Sequence, residues 1–379
     1  MKFYRRKSSQ LRPEGQDLAQ VSGARYACRM VCAIGIGMVR VVGMAIVVVV
    51  AVAPVSASSR TLDGNELLRI GDLHEVQNHL QEAVPYYQRA VMAFHKKKNR
   101  SGEAAALVSL GGVLHRQGKD EEALIALRKA VTLLGRTSEL GAQGRALVAL
   151  GPVAESLGRT AEARKAYEKA AKQFARARDP KGRAESLIRL GKLLALQGDV
   201  EAGLAYLQRA LDDARDRKDL GQQALALMVI GDAHARAEAG DLARSRYEQA
   251  LRLADEQGEM KSRAALRMRL GRLDAEDGRA PEGLPLVRTA LGLYQALRDR
   301  SGEADAFSLL GNLLLAEGNT AEAAQAHEQA LELYRALRDP MREAGSLANR
   351  GAVYELQGSL LEARDTQQKV VFLLQAQRQ

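Results

Sequence analysis

The residues best equipped for chemistry are His74-Glu75-Val76-Gln77-Asn78-His79, which resemble the zinc-protease H-E-x-x-H pattern with one residue too many. At about 100° per residue, histidines five positions apart on one helix face about 140° away from each other, so a single helix cannot bring both to one ion. Acid–base chemistry needs paired carboxylates, and the densest run is Asp120-Glu121-Glu122. That run falls where a helix is expected to begin, and there the helix dipole favours negative charge. Both cysteines, Cys28 and Cys32, lie in the first sixty residues, which leaves the remainder without a thiol nucleophile or thiolate ligand. No phosphate-binding loop or nucleophile elbow occurs. The pattern points to a non-enzyme with no catalytic residues, no metal site and no cofactor.

What positions these residues is a repeat. Gly71, Gly111, Gly151, Gly191, Gly231, Gly271, Gly311 and Gly351 recur every forty residues without a slip. With 34 glycines in 379 residues, eight at one constant interval form a period, and a period of this size means stacked supersecondary units. Apolar columns flank the ladder: Leu67, Leu107, Leu147, Leu187, Leu227, Arg267, Phe307 and Leu347 before it, and Leu73, Val113, Val153, Leu193, Ala233, Leu273, Leu313 and Val353 after it. Together they make one stripe of an amphipathic helix, here helix A.

Seven residues past each ladder glycine stand Asn78, Gly118, Gly158, Gly198, Glu238, Gly278, Gly318 and Gly358, where helix A stops on a left-handed residue. Glu238 breaks that column, and Gly240 is expected to take over its turn. A second helix, B, then begins, with Asp120, Thr160 and Thr320 as its expected N-caps. It carries a small column from Ala83 to Ala363 and a large one: Tyr87, Leu127, Tyr167, Leu207, Tyr247, Val287, His327 and Gln367. Small residues let two helices approach while large ones interlock. The absence of Trp and the presence of only five Phe and eight Pro agree with an all-α chain.

This pattern resembles the tetratricopeptide-repeat family over residues 61 to 379, most closely at Ala306-Phe307-Ser308-Leu309-Leu310-Gly311 with Gly318, Ala323 and Ala330 following. The forty-residue period is similar to the lengthened repeat of kinesin light chains and of bacterial regulatory arrays. The resemblance implies an all-α, right-handed superhelical solenoid of eight stacked helix-turn-helix hairpins. Repeats start near residues 61, 101, 141, 181, 221, 261, 301 and 341. It also implies a concave face, formed chiefly by helix A, that binds a protein or peptide, as a scaffold or adaptor does; the alternatives are a self-assembling oligomer and the regulatory or sensory subunit of a signalling system.

In that register the groove presents Arg116, Arg145, Lys192, Met228, Arg236, Met268, Arg272 and Asn312. The basic accent suits an acidic or mixed-charge segment, with Met228 and Met268 as adaptable contacts. The resemblance also offers an asparagine ladder after each ladder glycine. That column reads Asp72, Gly112, Pro152, Lys192, Asp232, Arg272, Asn312 and Ala352, so only Asn312 conforms and no relative's ligand is carried over.

Charge divides unevenly along the chain. The formal +10 includes eight basic against two acidic residues in positions 1 to 57, leaving 48 against 44 in the repeats. Interleaved charge of this kind solvates helix faces, so nucleic acid is not an expected partner. The first 57 residues read as an address. A basic front leads to the apolar run Val41 to Ala53, and Val55-Ser56-Ala57 provides small residues for cleavage after Ala57. This predicts export to the periplasm, cell envelope or exterior. The alternative is an uncleaved inner-membrane anchor through residues 31–53, with Arg40 in its middle.

Two departures carry further expectations. Pro152 sits inside helix A of the third repeat, where it removes a donor, so a kink or two shorter helices are predicted. The last repeat places Arg350 and Gln367 in core columns yet ends in Val370, Val371, Phe372 and Leu374, which predicts an interface with a second copy or another protein.

Overall fold

The computed structural model describes residues 62–376, and among them all regular structure is α-helical: sixteen helices and no strand. The compact unit that holds them spans Asp63–Gln379. They pair as eight hairpins: α1 (Gly64–Val76) with α2 (Leu80–Lys96), α3 (Arg100–Arg116) with α4 (Asp120–Leu134), α5 (Leu140–Ser156) with α6 (Thr160–Arg176), and α7 (Pro180–Leu196) with α8 (Val200–Asp216). The array continues with α9 (Leu220–Arg236) and α10 (Gly240–Gln257), α11 (Met260–Glu276) and α12 (Ala280–Leu297), α13 (Arg300–Ala316) and α14 (Thr320–Leu337), and α15 (Pro340–Leu356) and α16 (Leu360–Ala376). Each helix packs on the next, and no helix reaches beyond the neighbouring hairpin. This nearest-neighbour stacking is a solenoid.

The glycine ladder exists because of helix B. A Cβ on Gly71 would lie 2.6 Å from the Tyr87 ring, and one on Gly111 would lie 2.6 Å from Leu127 Cγ. The same large column, sixteen residues on, presses against the later ladder glycines as far as Val287 at Gly271 and His327 at Gly311. These large residues are fully buried, as are Ala83, Ala123, Ala163 and Ala243 of the small column. A second set of glycines does the same job at the helix A starts. The Phe94 ring lies against both Gly64 and Gly102, and Phe174 lies against Gly144 and Gly182, so one aromatic ring locks the first hairpin to the second and another the third to the fourth.

The eighth hairpin lacks this constraint, since the nearest atom to a Cβ on Gly351 is 3.7 Å away, on Thr366. Gly191 is the opposite case, with the Gly203 carbonyl oxygen at 2.7 Å and Leu207 at 2.6 Å. Gly191→Ala is therefore expected to cost about 1–3 kcal/mol through overpacking. Gly351→Ala should be neutral or gain up to about 1 kcal/mol from helix propensity. Thermal melting of the two variants beside the parent checks this, and equal effects would show that the ladder is not set by close approach.

Three local expectations need correction. Glu238 itself adopts the left-handed conformation, with φ 56°, and Gly240 is the first residue of α10. The stacking of its neighbours outweighs the steric cost of a non-glycine residue there. The turns from helix B to the next helix A use left-handed residues too, including Lys98, Arg178, Lys218, Arg298 and Arg338, which no glycine column announced. The N-caps of helix B lie one residue earlier than expected. Asn319, not Thr320, accepts the Glu322 amide, while Asp120 and Thr160 are first-turn residues preceded by Lys119 and Arg159, whose side chains make no cap bond. Asp120 instead accepts a 2.6 Å contact from His115 Nδ1. Finally, α5 runs through Pro152 as one helix rather than two shorter ones. Flanking residues Leu150, Val153 and Ala154 are buried and hold the segment in place, so packing offsets the lost bond. Pro85 and Pro285 likewise sit inside continuous helices.

Candidate functional site

The inner face of the array is decided by backbone approach. Each helix A touches helix A of the following hairpin, whereas successive helices B make no such contact. The A layer is therefore the tighter, concave one. Its central stretch encloses a cavity of about 600 Å³ built from α7, α9 and α11, with Tyr247 of α10, Tyr294 of α12 and Asp305 of α13 closing its sides. Arg272, Glu276 and Asp305 are shared with a second cavity of about 380 Å³, which adds Ser308, Asn312 and Tyr334. The two form one trough from the fourth hairpin to the seventh.

Of the expected groove residues, Lys192, Arg236, Met268 and Arg272 line the first cavity, and Arg272 and Asn312 line the second. The others lie elsewhere. Arg116 is tied to the adjoining turn, 3.1 Å from Glu75 Oε1 and 2.8 Å from Asn78 Oδ1. Arg145 is exposed on α5 and lines neither cavity. Met228 is half-buried and packs on the core of hairpins four to six. Asn312 accepts a 3.0 Å hydrogen bond from Asn349 Nδ2 on the next hairpin. Among the described residues Lys192, Arg236 and Arg272 make no ion pair, so their charges face the trough uncompensated by the protein.

The sequence reading missed the centre of the cavity. Arg269 of α11 reaches across to Asp232 of α9 with two bonds, Nε to Oδ1 at 2.7 Å and Nη2 to Oδ2 at 3.1 Å. The third nitrogen, Nη1, donates to the Ala265 carbonyl at 3.2 Å. Tyr247 Oη donates to Asp232 Oδ1 at 2.8 Å. Burial, followed by the Asp232 charge, holds the Tyr247 phenol well above its usual range, so it remains a donor at any physiological pH. Burial opposes the charge on Arg269, and the Asp232 contact outweighs it. A signal for this existed: Asp232 stands fifteen residues before Tyr247, and Asp72 stands fifteen before Tyr87, which makes the same bond at 2.9 Å. Arg269, however, sits in a column that is otherwise mixed, and nothing local marks it.

His74 and His79 do not share a helix. His74 is in α1 and His79 precedes α2, with ring centroids 6.2 Å apart and His74 stacked on Tyr86 at 5.2 Å. Among the described residues no group of three or more His, Cys, Asp or Glu is placed to hold a metal. Asp120, Glu121 and Glu122 occupy the first turn of α4, and Glu121 pairs with Arg159 at 3.0 Å. At the far end of the array Val370 is half-buried, Val371 and Leu374 are exposed, and Phe372 is 71% exposed.

Models of the tetratricopeptide repeat match residues 68–137, 142–216 and 262–336, together more than half of the chain. The chain is a tetratricopeptide-repeat protein. No curated protein matches it by sequence. Among solved structures, this repeat array is similar to a signal transduction ATPase with numerous domains from Pyrococcus horikoshii, which carries a tetratricopeptide repeat sensor. The TM-score is 0.59 at 15% identity, covering 82% of this chain and 47% of that one. BtubC (BKLC) from P. vanneervenii matches with TM-score 0.54 and 21% identity over 59% of this chain and 92% of that one. A Rap protein complexed with competence and sporulation factor matches with TM-score 0.54 and 12% identity over 83% and 96%. These likenesses concern the fold of the repeat array.

Proposed function

We propose that this tetratricopeptide-repeat protein is a non-enzymatic scaffold or adaptor that holds a protein or peptide segment in its concave trough, and that it works in the cell envelope after export. The observation that carries the reading is the continuous trough over four hairpins, lined by Lys192, Arg236, Arg272 and Glu276, which make no ion pair among the described residues. A Rap protein of similar fold is seen with competence and sporulation factor, which supports a bound segment on this architecture. Export rests on the basic front, apolar run and small-residue exit of residues 1–57, which lie outside the described residues. Among the described residues no helix is long and apolar enough to cross a membrane.

Filling the trough tests the scaffold reading. Ala235 is half-buried and lines the larger cavity, so Ala235→Trp should abolish recovery of partners that the parent chain captures from its own cells. Unchanged recovery would place the partner elsewhere. N-terminal sequencing of the mature protein tests export, with a start at Ser58 expected and an intact N-terminus pointing to the anchor.

A second reading, self-assembly, is favoured by α16, where Leu360, Leu361 and Phe372 are 70–81% exposed. Phe372→Asp is then expected to turn a dimer into a monomer in sedimentation. A monomer before and after the substitution rules out end-on association.

A further inference from the structure

We infer that the segment held in the trough is of opposed charge: acidic where it crosses Lys192, Arg236 and Arg272, and cationic where it crosses Glu276. The inference rests on the concave-face reading above and names the chemistry of its ligand. Charges that cancel within the protein set the background. Asp232 is neutralised by the two-bond contact from Arg269 and by the Tyr247 hydroxyl, so the middle of the trough carries little net charge. Three cations and one acid remain. Lys192 on α7, Arg236 on α9 and Arg272 on α11 are exposed cations without an ion pair among the described residues. Glu276, one turn after Arg272 on α11, is likewise unpaired, whereas Asp305 on α13 is neutralised as Asp232 is, by the Tyr334 hydroxyl at 2.7 Å and by Arg342 at 3.4 Å.

Arg272 and Glu276 are four residues apart on one helix and line both cavities, yet they do not pair with each other. Arginine preceding glutamate is the weaker order for such a pair, which leaves both side chains to face a ligand. A uniformly acidic segment would meet the unpaired Glu276, and a uniformly basic one would meet three unpaired cations. Only a segment whose charge changes sign near Arg272 satisfies both ends, and such complementarity fixes its direction as well as its position. Beside the neutralised Asp232–Arg269 pair the lining is small and apolar, with Ala195, Ala233, Ala265 and Met268, which suits an extended backbone with short side chains.

Selection from a random peptide library against the full chain, in parallel with Ala235→Trp, tests this. Enriched sequences should carry an acidic cluster and a Lys or Arg cluster in one fixed order, and a synthetic peptide with that order reversed should bind less tightly. Lys192→Glu, Arg236→Glu and Arg272→Glu together should weaken the best peptide at least about tenfold, and Glu276→Lys should shift preference towards uniformly acidic peptides. All four positions are exposed, so the fold tolerates these changes. Enrichment of uniformly acidic or apolar sequences would overturn the opposed-charge inference while leaving the groove intact as a site. Equal enrichment by the parent and by Ala235→Trp would overturn both.

Discussion

Asp274→Ala is expected to loosen the array between α10 and α12 by about 3 kcal/mol, the low end for stranding one partner of a buried ion pair. Asp274 is 1% exposed, with Arg244 Nη2 2.5 Å from its Oδ1 and Arg279 Nε at 3.5 Å. Its Oδ2 has no hydrogen-bond partner in the protein, so the carboxylate depends on these two arginines. Removing it would leave the Arg244 guanidinium, itself 23% exposed, beside Asp277 at 3.8 Å as its remaining acid. At two other hairpin junctions the corresponding places are both apolar, Leu284 with Leu314 and Val84 with Leu114. The double variant Arg244→Leu with Asp274→Leu should therefore be as stable as the parent or more so. Amide hydrogen exchange in α10 to α12 separates these outcomes, because unfolding of a solenoid need not be two-state. Equal protection in Asp274→Ala and the parent would show that the pair contributes nothing.

Acidification is expected to weaken the seventh hairpin through His327. This side chain is fully buried against Gly311, and neither ring nitrogen finds a partner in the protein. Burial alone lowers its pKa to about 4. In the unfolded chain a histidine titrates near 6.5, so between about pH 6.5 and 4 the unfolded state binds a proton that the folded state refuses. Stability is whole above that window and falls as the pH drops through it, by about 2 kcal/mol at pH 5. His327→Leu copies Leu127 and Leu207 of the same column and removes both orphaned nitrogens. It should raise stability at neutral pH and shrink the loss on going from pH 7.5 to 5. The buried Glu103, held by Lys129 at 2.8 Å and His95 at 3.0 Å, has a carboxyl whose pKa these partners keep low despite burial, so its contribution fades only at lower pH. A melting-temperature difference between pH 7.5 and 5 that is identical in the parent and His327→Leu would sink the assignment.

The fold was legible because the same packing requirement is written eight times. A glycine opposite a large helix B residue, sixteen positions on, is a local rule, and repetition removes the ambiguity of any single copy. Five of the eight expected groove positions, Lys192, Arg236, Met268, Arg272 and Asn312, line the two cavities, because helix period sets which face they share. Arg145 and Met228 satisfied the same periodic rule and still line neither cavity, since period places a Cα on a face but not a side chain in a cavity.

By itself the sequence determined the number of hairpins and the columns along which they pack, both consequences of short-range periodicity. Only the tertiary structure decided which charges are free. Arg116 and Arg236 occupy the same position of their repeats, yet one is bound to Glu75 and Asn78 while the other faces the trough unpaired. Arg269 is spoken for by Asp232, thirty-seven residues away. Glu238 takes a glycine's conformation, and α5 passes through Pro152 unbroken, because neighbouring hairpins hold them there. Such outcomes depend on partners one repeat distant, whose side chains vary from copy to copy while the framework does not, and no local pattern encodes that pairing.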